Sequence, residues 1–201
     1  MKYYLKQGLL PLIYMVFMAM IAIGIQLING LIWLKILLGI LNVGLYGVVV
    51  CATSLKEGQD ALKVQIANDL ERREIIRTGE DRPLKLREEY KWYKGFLFGL
   101  TACVPLILLL AVHTIVHFAG GSYVGFGAIA GLVYNMFFLF FSLNNASGGE
   151  TVQVEWYAYY GTLIALPIIM LMTGISYILG ARKIILQQKA IREKQRQIYG
   201  E

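Results

Sequence analysis

The sequence predicts an all-α protein: an integral membrane helical bundle of five apolar helices, with four or five full crossings, a cytoplasmic helical loop and a basic C-terminal helix. Two observations carry this. Residues 9–28, 95–119, 124–143 and 157–180 contain no Asp, Glu, Lys or Arg, and residues 31–52 contain only Lys35. Each stretch is long enough to cross about 30 Å of hydrocarbon as a helix, which takes roughly 20 residues. Hydrophobic residues make up 57% of the chain and charged residues 16%, against roughly 25% charged in soluble proteins. The segments are apolar on nearly every face, whereas a soluble core helix keeps a polar stripe. Lipid offers no partner to unpaired backbone groups, so helices are the expected form.

Taken in order, 9–28 and 31–52 are separated only by Asn29-Gly30, a pair that tolerates the left-handed backbone of a sharp reversal. They are expected to form a tight hairpin, with Lys35 snorkelling back to the headgroups. Lys2 and Lys6 precede an apolar run longer than a signal-peptide core, so it is read as a retained first helix. The polar segment 53–94 begins as a helix continuing out of the bilayer. Leu62, Ile66 and Leu70 recur every four residues, and Asp69–Arg73 and Glu74–Arg77 have ion-pair spacing. Gly79 and Pro83 supply a stop. Tyr90, Trp92 and Tyr93, interleaved with Lys91 and Lys94, mark a return to the headgroup layer.

Residues 95–119 follow, with a kink expected at Pro105. A Gly120-Gly121-Ser122 turn leads into 124–143, a polar stretch occupies 144–155, and 157–180 is the last apolar segment. The tail, 181–201, is basic and helical in pattern. Cys51 and Cys103 are isolated and fit neither a disulfide framework nor a metal motif, so both are expected as free buried thiols.

Charge sets the expected orientation. Cytoplasmic flanks are rich in Lys and Arg, which places the N-terminus and the 53–94 loop in the cytoplasm of a cell-membrane protein. The tail, with Arg182, Lys183, Lys189, Arg192, Lys194 and Arg196, should by the same rule be cytoplasmic. Three crossings between loop and tail would put them on opposite sides. Uninterrupted helices are the commoner solution in lipid, which favours five crossings; the charge rule favours re-entry of 124–143.

Several residues are candidates for function. His113 and His117 stand four apart on one helix face, the spacing of a proton relay or ligand pair, though near a segment end a neutral interfacial role is cheaper. If 124–143 re-enters, Glu150 and Glu155 would join them along a polar path. Gly121 with Gly125, and Gly127 with Gly131, have the spacing that lets membrane helices approach closely. Leu62, Ile66 and Leu70 form an expected partner-facing stripe.

The chain has no phosphate loop, no Cys/His metal cluster and no Ser/His/Asp set at plausible spacing. The expected protein is therefore non-catalytic, with no cofactor and no metal. Its net charge of +6 lies in the flanks and suits anionic headgroups rather than nucleic acid. The expected role is an accessory or scaffold subunit that binds a membrane or cytoplasmic partner, or anionic lipid, through loop and tail. A small oligomeric channel or transporter subunit is the alternative.

Overall fold

The computed structural model describes residues 2–26, 32–79, 89–120 and 163–199. Of these, 94% are helical and none lies in a strand, so the all-α class holds. Four long helices result: α1 (Lys2–Gln26), α2 (Ile32–Thr78), α3 (Lys94–Phe118) and α4 (Ala165–Tyr199). Expected segment 124–143 and the first six residues of 157–180 lie outside the described residues, as do Asn29-Gly30 and Pro83.

α2 runs unbroken for 47 residues, about 70 Å, so the apolar segment and the polar loop helix are one rod. Gly79 ends it as expected. At φ +70 it adopts the left-handed conformation open to glycine, and its N–H donates to the Ile75 carbonyl at 2.9 Å. Gly120, at φ +66, ends α3 in the same way. α3 continues through position 105 without a break.

Contacts fix the directions. Met15 and Met18 of α1 cluster with Tyr46 and Val50 of α2, and Ala22 and Ile25 pack with Leu38, so α1 and α2 are antiparallel. A Cβ placed on Gly95 would meet Thr173, Gly174 and Tyr177, and one on Gly99 would meet Ile169, Met170 and Thr173. α3 and α4 are therefore antiparallel too. α2 and α4 run the same way: Gly47 lies against Met172, Gly58 against Tyr177, and Leu62 against Ala181 and Ile184. The helices alternate up, down, up, down. The start of α1, the polar half of α2, the start of α3 and the basic end of α4 all fall at one end.

The core forms where all four helices meet, around Met15, Met18, Tyr46, Val50, Cys103 and Ile169. Asn42 ties α2 to α1 by donating from its amide nitrogen to the Met18 carbonyl at 2.9 Å. Outward, the helices carry large apolar side chains. Phe17, Met20, Val48, Leu108, Ile115 and Ile164 are each more than half exposed. The helices Trp33–Thr78 and Leu166–Ile198 are long and apolar enough to cross a membrane, and Leu9–Ala22 and Lys94–Val104 are shorter apolar stretches.

Three expectations need correction. Lys35 does not snorkel; it is 3% exposed. It shares the inward stripe of α2 with Asn42 and Tyr46, seven and eleven residues on, so facing rather than depth decides its burial. Cys103 is a free buried thiol, but Cys51 is only half-buried. Asp69 pairs with Arg72 at 3.3 Å rather than with Arg73.

Candidate functional site at the charged end of the bundle

The charged end is built on glycine. α2 and α4 touch backbone to backbone at Gly58 and Gly180. A Cβ on Gly58 would collide with the Tyr177 carbonyl, and one on Gly180 with the Leu55 carbonyl. The two collisions are related as mirror roles, Leu55 and Gly58 on one rod matching Tyr177 and Gly180 on the other. Parallel helices meeting at small residues bring Cα–H groups onto facing carbonyls, a weak but recurrent attraction. Gly95 and Gly99 bring α3 against α4 next to this crossing, with Tyr177 common to both contacts.

Tyr177 sits where these contacts converge. It is fully buried, stacks on Tyr90 with ring centroids 5.3 Å apart, and meets Phe98 edge-on at 5.7 Å. Burial pushes the Tyr90 phenol above its ordinary pKa, because the tyrosinate would lose hydration in this stack. Trp92 and Tyr93 instead point outward and are 64% and 39% exposed. Of the three predicted interfacial aromatics, one therefore packs half-buried against the core and two face out.

Below Tyr177 lies a polar clamp. The Glu89 carboxylate accepts from Arg72 at 2.6 Å and from the Asn68 amide at 3.1 Å. Lys94, buried at the start of α3, donates to the Glu89 carbonyl at 2.7 Å. The chain entering α3 is thus fastened to the projecting part of α2. The Arg72–Glu89 pair is partly exposed and contributes modestly. Asn68, 6% exposed, has more at stake. Glu89→Ala should lower stability by about 1–3 kcal/mol, since it strips a buried amide of its acceptor; thermal unfolding in detergent reads the loss.

The predicted partner stripe is mostly occupied from within. Leu62 is buried against Ala181 and Ile184, and Ile66 packs on the same cluster beside Tyr90. Only Leu70, 62% exposed, stays open. The stripe's partner is the chain's own α4, because an amphipathic extension next to another apolar helix buries itself first.

What is left exposed is the end of α4. Arg182, Lys183, Lys189, Arg192, Lys194 and Arg196 are all exposed, with Ile185, Leu186, Ile191 and Ile198 among them. Arg182, Lys189, Arg192 and Arg196 recur at spacings of seven, three and four and so share one face. Glu193 is 4.0 Å from Lys189 and offsets little of this charge. The surface can hold anions electrostatically; among the described residues no three His, Cys, Asp or Glu groups converge.

The other candidates lie elsewhere. His113 is buried toward the opposite end of α3, and His117 is half-buried beside the edge of Phe118. Gly121, Gly125, Gly127, Gly131, Glu150 and Glu155 lie outside the described residues. The packing glycines that sequence reasoning missed are Gly58, Gly95, Gly99, Gly174 and Gly180. The four-residue spacing of Gly95 and Gly99 was a usable signal, whereas Gly58 sits in a polar stretch that reads as solvated helix. Comparison with known proteins finds no family model that matches the chain, and no curated protein or solved structure with significant similarity to it.

Proposed function

We propose that this is a four-crossing, multi-pass membrane protein with no catalytic role, an accessory or scaffold subunit that presents the basic end of α4 at the cytoplasmic face. The observation that carries the reading is the alternation of helix direction. It gathers the described basic flanks at one end, beneath a belt of outward Phe17, Met20, Val48, Leu108 and Ile164. An apolar belt of that extent suits lipid rather than water. One-sided positive charge is what the orientation rule asks of a cytoplasmic face. On this reading α3 leaves and α4 returns on the outer side, which favours re-entry of 124–143 over a single full crossing.

Two engineered cysteines test the topology in a chain with Cys51 and Cys103 replaced by Ala. Ala119→Cys should react with an impermeant maleimide in intact cells, and Gln195→Cys only after permeabilisation. Labelling of both in intact cells would restore the five-crossing arrangement. The scaffold role is tested by photo-crosslinking from Ile191 and Ile198 in native membranes. A discrete protein adduct or anionic lipid adduct, lost in Arg192→Glu/Arg196→Glu, is expected; adduct formation indifferent to those charges would defeat the reading.

A second reading, a channel or transporter subunit, draws on the polar groups inside the bundle. Lys35, Asn42, His113, Thr173 and Ser176 are all buried at helix positions. Intramembrane polar residues of this kind mark transport paths in other membrane proteins. Liposome flux that His113→Ala alters would favour transport over scaffolding.

A further inference from the structure

Between α2 and α4, on the apolar side of the Gly58–Gly180 crossing, lies a groove of about 560 Å³. Its walls are Val43, Val48, Cys51, Ile168 and Met172, and Gly44 and Gly47 form its floor. That volume falls within the roughly 300–1,000 Å³ of small-molecule sites. The floor is open in a specific way: a Cβ on Gly44 would meet no atom within 4 Å, and one on Gly47 would meet only the tip of Met172 at 2.8 Å. Polar groups are nearly absent from it, so its occupant must be a hydrocarbon.

The groove continues into a track. Ile168, Met172, Ile175 and Leu179 follow one stripe of α4, and Ile168, Ile175 and Leu179 are each about half exposed. The stripe ends on Arg182 and Lys183, both exposed. From Arg182 back to Met172 is about 15 Å along the helix. That equals half of a roughly 30 Å hydrocarbon layer, the reach of one lipid tail from its headgroup.

We infer that this groove and track form a binding site for one anionic phospholipid of the cytoplasmic leaflet, its acyl chain between α2 and α4 and its phosphate on Arg182 and Lys183. The inference rests on the membrane reading above and assigns a ligand to it. Bulk lipid is as apolar as the groove, so the preference comes from close packing on the glycine floor and from the two cations. A zwitterionic lipid fits the groove equally but gains little from the charges.

Native mass spectrometry of the full chain in detergent, titrated with phosphatidylglycerol or chain-matched phosphatidylcholine, tests this. One phosphatidylglycerol per chain is expected, bound several-fold more tightly than phosphatidylcholine. Arg182→Gln/Lys183→Gln should weaken it by about an order of magnitude, as loss of two headgroup cations implies. Gly44→Leu puts a side chain into the groove at a position where the Cβ itself meets no atom within 4 Å, and should weaken both lipids alike. Equal binding by the wild type and Gly44→Leu overturns the site. So does a wild-type dimer that Gly44→Leu dissociates, which would make the occupant a second copy. If the protein instead washes out of membranes at alkaline pH, the membrane reading itself fails; retention in the membrane with no lipid bound defeats only this proposal.

Discussion

Gly58→Ala should destabilise the bundle by about 3 kcal/mol, the largest penalty, shared with Gly180→Ala, expected from one added methyl at the described glycines. Ala is the better helix former by about 1 kcal/mol, so propensity alone predicts a gain. The added Cβ, however, lands on the Tyr177 carbonyl. A backbone carbonyl cannot swing aside as a side-chain tip can, so α2 and α4 must separate. Overpacking of this kind costs 1–3 kcal/mol, occasionally more, and here it also breaks the facing Cα–H contacts. Gly180→Ala should match it, because Gly180 meets the Leu55 carbonyl in the same way. Gly24→Ala and Gly44→Ala are the controls. Nothing lies within 4 Å of either Cβ, so both should be neutral or gain up to about 1 kcal/mol. Thermal unfolding in one detergent ranks all four; equal midpoints would mean that the crossing is not a contact.

Tyr177→Ala is the second large effect, a loss of about 3–5 kcal/mol, typical of a fully buried aromatic truncated to Ala. The ring is the shared surface of three elements: it stacks on Tyr90 before α3, meets Phe98 in α3, and clusters with Ala61 of α2. Removing it leaves a cavity at the root of the projecting helices, so the clamp at Glu89 should loosen with it. Hydrogen exchange should accelerate over 61–72 and 89–94 in this variant. Tyr177→Phe should retain most of the stability, since the stack and edge contacts are made by the ring. A Tyr177→Ala protein with wild-type midpoint and exchange would refute the assignment of Tyr177 as the keystone.

The helices themselves were legible, and for a plain reason. Charge-free runs longer than 18 residues leave few alternatives to a helix, and Gly79 marks the end of α2 because only a left-handed residue closes it there. The continuation of 31–52 into the loop helix followed from unbroken periodicity through Leu62 and Ile66. What sequence could not disclose was which face meets which neighbour. Leu62 and Ile66 look the same whether a foreign protein or Ala181 and Ile184 cover them, since one-dimensional spacing carries no identity of partner. Lys35 misled because its distance from the reversal was readable and its facing was not. Glu89 gave no signal at all: its partners Asn68 and Arg72 lie 21 and 17 residues away, and that closeness exists only after folding. Tail and loop shared a composition that asked for a common side, and the alternating helix directions meet that request.

The crossing at Gly58 and Gly180 also has a mechanical side. α4 is one uninterrupted rod, and Gly180 stands in its middle third, with arms of about 22 Å toward Ala165 and about 28 Å toward Tyr199. Contacts hold the rod on both sides of that crossing, at Ile169, Met172 and Thr173 on the oily arm and at Ala181 and Ile184 on the basic arm. The exposed stretch beyond Ile184 is therefore an overhanging cantilever, able to swing without tilting the part packed in the bundle.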